Sequence, residues 1–258
     1  MPVATRIMVA IQKGGVGKTT STVIMADILA SAGYKVLLVD LDSQGNATQM
    51  VTQKSIYENS GNTVLEAIKE KRPDRYIIHA KENLDLLPAD DMLVTFSRYI
   101  YTEKVQNPIR ELDNTLRLVD GDYDYILMDC PPNLGDLVLN AIVCSDYIMI
   151  PVMPDAFGMD ALDRFVENIV EAQEKGHTKA EILGIMFTSR DMRNALERSV
   201  EESIRERYNT MVFDTVIRRK AKIKEFALTG TRMKYKREAE ALEDYIDLVK
   251  EMIERVTK

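Results

Sequence analysis

The densest chemistry in this chain lies in eight residues, Lys13-Gly14-Gly15-Val16-Gly17-Lys18-Thr19-Thr20. Glycines at this density let backbone N–H groups close on phosphate oxygens, and a following helix adds the positive end of its dipole. Lys18 is placed to reach β- and γ-phosphates, and the Thr19 hydroxyl to ligate magnesium. Gln12 stands where the pattern G-x-x-x-x-G-K-[ST] asks for its first glycine; a second lysine, Lys13, and the pair Gly14-Gly15 follow instead. The chemistry is that of a nucleotide site.

A nucleotide site needs carboxylates to manage magnesium and water. Asp129 ends the apolar run Ile126-Leu127-Met128 and is followed by Cys130-Pro131-Pro132. The prolines exclude a helix starting there, so a capping role is disfavoured. Asp129 is therefore expected to hold the ion through a water molecule, because magnesium keeps much of its hydration. Asp40 and Asp42 end a second apolar run, spaced so that both point to one side of an extended chain. One of them is expected to orient the attacking water. Asp42, further beyond the strand, is the better candidate and a second water-mediated contact to the metal. A turn or cap before Ser43-Gln44-Gly45-Asn46 is the competing reading of Asp42.

These residues need strands to hold them. Ile7 to Ile11 precedes the glycine loop, and Ser21 to Ala32 follows it with helical spacing. Further apolar runs lie at Lys35 to Asp40, Leu84 to Leu87, Tyr125 to Asp129, Tyr147 to Val152, Ile182 to Phe187 and Met211 to Ile217. Helical patterns occupy Val64 to Lys71, Pro108 to Leu118, Leu134 to Cys144, Asp160 to Lys175 and Ala195 to Tyr208. The alternation predicts an α/β fold, a mostly parallel twisted sheet with helices on both faces, in one domain over residues 1–258. The last helix, Glu238 to Val256, carries an apolar stripe from Leu242 to Val256 and a mixed polar face rich in Glu and Asp. It is expected to dock on the sheet rather than on a membrane.

Of the 258 residues, 45% are hydrophobic and 29% charged, which describes a soluble globular chain. No apolar run approaches the ~20 residues of a membrane span. The short stretch before the first strand leaves no room for a signal peptide, and the cytoplasm is the expected location. Cys130 and Cys144 lack metal-ligand spacing and read as packing residues. Net charge is −7, yet Arg218, Arg219, Lys220, Lys222, Lys224, Arg232, Lys234, Lys236 and Arg237 face Glu225 alone in their stretch. That segment carries +8 and the remainder −15, and local clustering matters more than the sum at physiological salt.

Together these blocks resemble the ParA family of deviant Walker A ATPases. The matching pieces are QKGGVGKTT at 12–20, KVLLVDLDSQGNAT at 35–48, LDLLPAD at 84–90, YDYILMDCPPNLG at 123–135 and IPVMPDAFGMDAL at 150–162. Weaker matches follow at 182–193 and 212–230. With the phosphate loop starting at residue 13, the chain looks like the short, Soj-like members, without an N-terminal helix-turn-helix domain. The resemblance implies ATP as the nucleotide with Mg2+, and Thr20 as a further phosphate contact. It also implies a Lys13 that crosses a homodimer interface to the partner's nucleotide, and Asp42 positioning the hydrolytic water. It implies weak ATP hydrolysis, an ATP-bound dimer on non-specific double-stranded DNA, nucleoid association, and a ParB-like centromere-binding partner that stimulates hydrolysis. The basic run at 218–237 falls where the DNA-binding surface is expected. A positioning ATPase for a protein cargo and a MinD-like membrane-positioning ATPase are the alternatives; the second wants a terminal basic amphipathic anchor that Val256-Thr257-Lys258 does not supply. A redox role with an intersubunit cluster finds no support around either cysteine. Ser43, Asn133 and Met153 depart from the usual pattern, and Val216-Ile217-Arg218-Arg219-Lys220 replaces a frequent I-P-R-N near the adenine.

Overall fold

The computed structural model describes residues 3–103, 105–231 and 236–258. Its elements follow in the order β1 (Thr5–Val9), α1 (Lys18–Ser31), β2 (Val36–Asp40), α2 (Asn46–Thr52), α3 (Val64–Glu70), β3 (Ile78–Lys81), β4 (Leu84–Leu87) and α4 (Phe96–Thr102). Next come α5 (Glu111–Leu116), β5 (Tyr125–Asp129), α6 (Asp136–Cys144), β6 (Tyr147–Val152), α7 (Gly158–Glu174), β7 (Glu181–Arg190), α8 (Ala195–Tyr208), β8 (Val212–Arg218), α9 (Ala221–Thr229) and α10 (Lys236–Val256). The strands form one sheet of eight in the order β3-β4-β2-β5-β1-β6-β7-β8. Every pairing is parallel except the edge pair of β3 with β4.

Strand alternation divides the core into two layers. Met8, Leu37, Val39, Ile126 and Met128 face α3 through α8, where Leu65, Phe96, Leu112, Ile142 and Phe165 meet them. Ile7, Val9, Leu38 and Leu127 face the other way, onto Ile24 and Leu29 of α1, Met50 of α2, Phe226 of α9 and Leu242 of α10. Both faces are covered, as continuous apolar strands require. The parity of these alternations carries a consequence for the site. Asp40 and Asp129 pair across β2 and β5 at the last register position, and each shares the face of its strand that looks toward α1.

The last helix buries Leu242, Tyr245, Leu248, Val249 and Met252 against α1 and the sheet, as its stripe predicts. Among the described residues no helix is long and apolar enough to cross a membrane.

The structure adds elements that local pattern does not announce. Helix α2 has polar ends and starts after Gly45 at φ 59°, and buried Ala47 and Met50 hold it in place. Helix α9 reads as part of a basic run, but Phe226 is fully buried and anchors it. Strand β3 is a short antiparallel edge, and α4 lacks a strong apolar period. The helical pattern from Pro108 resolves into a 3-10 turn, Pro108–Arg110, followed by α5.

Candidate nucleotide-binding site

The loop between β1 and α1 sits at the carboxyl ends of the central strands, where open α/β sheets bind ligands. Gly15 and Gly17 take φ of 74° and 80°, a region costly for other residues. No side chain caps α1 and no acid lies in its first turn, so its amide groups and dipole stay available to an anion. The loop lines a cleft of about 800 Å3 together with Thr19, Thr20, Asp42, Ser43, Pro131, Pro132 and Asn133. Leu228 of α9 forms another wall, whereas Val216 to Lys220, the stretch expected near the base, does not line it.

Lys18 is nearly buried and donates from Nζ to the Lys13 carbonyl at 2.8 Å. Burial lowers its pKa, opposed by the charges of Asp129, Cys130 and Asp42. Lys13 lies in an ion pair with Asp155, on the loop after β6 of its own chain. A contact the sequence reading missed fixes the loop from behind. The Thr188 hydroxyl, at the end of β7, donates to the Val16 carbonyl at 2.7 Å. The polar Thr188 directly after the apolar run Ile182 to Phe187 was the available signal.

The three rim carboxylates differ sharply. Asp40 is wholly buried and accepts from the Thr48 amide at 2.8 Å, the Thr48 hydroxyl at 2.7 Å and the Asp42 amide at 3.1 Å. Burial pushes its pKa up to about 6, and those hydrogen bonds hold it back. Asp40 anchors the turn into α2 and does not line the cleft. Asp42 does line it, half-buried, while its Oδ1 accepts from the Gln44 amide at 3.0 Å. The turn role and the cleft position thus coexist in one side chain. The i, i+2 spacing does not bring the two carboxylates to one place.

Asp129 is fully buried, and neither carboxylate oxygen has a hydrogen-bond partner among the described residues. Burial, and then the neighbouring charge of Asp40, drive its pKa well above the usual carboxylate range, opposed by Thr19 and Lys18. An orphaned buried carboxylate beside a threonine hydroxyl is a poor structural element, since native folds pair such groups. It fits a hydrated divalent cation, for which one or two protein ligands, waters and phosphate oxygens are the usual set. Cys130 and Cys144 are buried thiols whose pKa burial pushes upward, the latter to about 12, which suits packing rather than reactivity.

Much of the basic run is paired with acids in space. The Arg218 guanidinium pairs with Asp244 and Glu243, Arg219 with Asp191 and Glu197, Lys220 with Asp244, and Lys222 with Glu225 and Glu238. The +8 of the linear segment is thus not +8 in space, because α8 and α10 supply acids from elsewhere in sequence. Lys224 is exposed and has no ion pair among the described residues. Arg232 and Lys234 lie outside the described residues, as do the side chains of Lys236 and Arg237.

The AAA-domain family model matches residues 4–182. The chromosome partitioning protein ParA of Myxococcus xanthus is 32% identical over 97% of this chain and 88% of its own length. The sporulation initiation inhibitor protein Soj of Bacillus subtilis is 34% identical over 95% of this chain and 97% of its own. The chain belongs to the ParA/Soj family of partition ATPases. Its fold is also that of solved relatives. A putative plasmid partition protein from Borrelia burgdorferi B31, bound to AMPPNP, superposes with TM-score 0.77 at 26% identity, covering 99% of both chains. A cobyrinic acid a,c-diamide synthase from Mycobacterium smegmatis, with bound ATP analogue and magnesium, gives 0.84 at 25% identity over 99% of this chain and 97% of that one. The family is one of P-loop ATPases, and of these two homologues both hold an ATP analogue and the synthase holds magnesium as well.

Proposed function

We infer that this member of the family is a magnesium-dependent ATPase that couples ATP binding to dimerisation and to sequence-independent binding of double-stranded DNA. The observation that carries the reading is the orphaned Asp129 carboxylate, buried beside an uncapped helix N-terminus that presents Lys18 and Thr19. The loop amides and Lys18 hold the phosphates, and Thr19 with Asp129 holds magnesium, Asp129 through water. The ion, when bound, supplies neutralisation of charge on the phosphate oxygens. Asp42, the carboxylate that reaches the cleft, orients the attacking water and forms a second water-mediated metal contact. Lys13 leaves Asp155 to reach the nucleotide of a second subunit, so that dimerisation depends on ATP.

The ATP-bound dimer then associates with nucleoid DNA in the cytoplasm, and a ParB-like partner stimulates hydrolysis and release. Relatives named for chromosome and plasmid partition support this assignment. The test is binding of a random-sequence duplex across a potassium chloride series, with magnesium and ATP, ADP or no nucleotide. Binding that requires ATP and weakens steeply with salt is expected. Salt-insensitive binding, or none at low ionic strength with ATP, overturns the DNA reading. Loss of nucleotide binding in Lys18→Ala is the control for the loop, and retained affinity in that variant overturns the site.

A further inference from the structure

Helix α10 carries two adjacent residues with different partners. Tyr245 is buried, and its hydroxyl lies 3.0 Å from Ser21 Oγ in α1, one turn after the phosphate loop. Asp244 turns instead to the end of β8. Its carboxylate accepts from the Arg218 amide at 3.0 Å, from Arg218 Nε at 2.9 Å, and from Arg218 Nη2, and lies 3.3 Å from Lys220 Nζ. Lys220 also donates to the carbonyls of Glu240 and Ala241. Burial alone would raise the Asp244 carboxyl, but Arg218 and Lys220 more than offset it and hold its pKa below the usual range. The group is therefore an anion at neutral pH.

The middle of the same basic run has its own tie to α1. Asp27 accepts from the Thr231 hydroxyl and from Lys81 Nζ at 2.6 Å, and Thr231 directly precedes Arg232. Thr231, within the run, is thus tied to α1 directly, while Arg218 and Lys220 reach α1 only through α10. A carboxylate that gathers an arginine fork and a lysine occupies the geometry that a phosphate of DNA would take. While Asp244 holds them, Arg218 and Lys220 displace few counterions from a duplex.

We propose that Asp244 is a built-in phosphate mimic that withholds Arg218 and Lys220 from DNA, and that α10, tied to the phosphate-loop helix through Tyr245 and Ser21, releases them when ATP is bound. The proposal rests on the DNA-binding reading above and supplies its switch. In nucleotide-free protein, Asp244→Asn is expected to tighten binding of a 25-base-pair random duplex roughly tenfold or more. The slope of log affinity against log salt steepens by about 1–2, since each phosphate contact contributes close to 0.9. An unchanged slope and affinity overturn the proposal.

Arg218→Gln tests the same idea without touching Asp244, should that substitution prevent folding. It is expected to remove about one unit of slope from the ATP-bound state and much less from the nucleotide-free state, where the guanidinium is already engaged. Equal losses in both states overturn the proposal. Tyr245→Phe is expected to retain magnesium-ATP affinity while shrinking the gain in DNA affinity that ATP produces, and an undiminished gain removes the coupling step. The unsubstituted protein separates the two levels of inference. If it binds no duplex with ATP, the functional reading falls and this one with it. If it binds while Asp244→Asn changes nothing, this one falls alone.

Discussion

At the amino-terminal end of the sheet, Arg6 is buried with every neighbour in place: Asp113 Oδ1 at 2.7 Å, Asp120 Oδ1 at 2.9 Å and Oδ2 at 2.5 Å, and the Cys144 carbonyl at 3.2 Å. At the carboxyl end, in the neighbouring strand, Asp129 is buried with no hydrogen-bond partner among the described residues. Both rims therefore hold a buried ionisable group within one sheet, but only one leaves that group without a hydrogen-bond partner among the described residues. A saturated network serves the fold, whereas an unpartnered buried carboxyl is a cost that folding alone does not explain and that a bound cation would offset. The contrast assigns stability to one rim and ligand binding to the other, and it can be broken at either end.

The largest effect is expected at the saturated rim. Arg6→Ala leaves Asp120 buried without its guanidinium, while Asp113 retains Arg117 at 3.0 Å. Removing one partner of a buried pair costs about 3–5 kcal/mol, which lowers the melting temperature by roughly 10 °C in a chain of this size. Nucleotide affinity is expected to change less than about twofold, an ordinary surface-scale effect. Thermal unfolding beside calorimetric titration of an ATP analogue checks both halves. A large loss of affinity with little loss of stability would reverse the assignment of this rim.

At the open rim, Asp42→Ala is expected to lower ATP turnover by about 100-fold or more, near 2.7 kcal/mol, with ATP binding kept. Single-turnover hydrolysis alongside equilibrium binding makes the measurement. Normal turnover in the variant would leave Asp42 with only its turn hydrogen bond to Gln44. Asp40 is no substitute in that event, because Thr48 and the Asp42 amide occupy its oxygens.

Asp129→Asn makes the contrast sharper, because it should move stability and function in opposite directions. Neutralising an unpartnered buried carboxylate removes a penalty of about 1–3 kcal/mol, so the nucleotide-free protein is expected to melt a few degrees higher at pH 7. Magnesium-dependent ATP affinity is expected to fall by roughly tenfold, about 1.4 kcal/mol. Lowered stability in the absence of nucleotide would show that the carboxylate is satisfied and that the two rims are alike.

How much of this was legible in the sequence differs between the rims for a physical reason. The open rim is built by short-range order: the glycine loop, Lys18 and Thr19 are contiguous, and Asp42 and Asp129 each end an apolar strand. Chemistry that must converge on one ligand leaves its spacing in the chain. The saturated rim joins Arg6 to Asp113, Asp120 and Cys144, more than a hundred residues away, and no local pattern announces that meeting. The same blindness affected the basic run. A linear count saw Glu225 alone against nine cations, while Asp191, Glu197, Glu238, Glu243 and Asp244 arrive from α8, α10 and the loop before α8. The sheet was readable because parallel strands buried on both faces are apolar throughout. Helices α2 and α9 were not, because single tertiary anchors such as Phe226 hold them rather than a repeating stripe.

The smallest effect probes whether the open rim is shaped by its glycines alone. Thr188 and Val16 are both buried, and the hydroxyl donates a hydrogen bond from β7 to the loop carbonyl. Thr188→Val keeps the volume and removes the donor, leaving the carbonyl unpaired, a change of about 1 kcal/mol. If the loop needs that bond to hold its amides toward phosphate, the loss should appear as a roughly fivefold weaker affinity for an ATP analogue, because 1.4 kcal/mol corresponds to tenfold. Thr188→Ser restores the hydroxyl without the methyl and is expected to recover most of the affinity. A purely structural role for the side chain predicts the other pattern, in which valine, of equal volume, is harmless and serine, which opens a methyl-sized void, is the damaging variant. That outcome would confine the preorganisation of the open rim to Gly15 and Gly17.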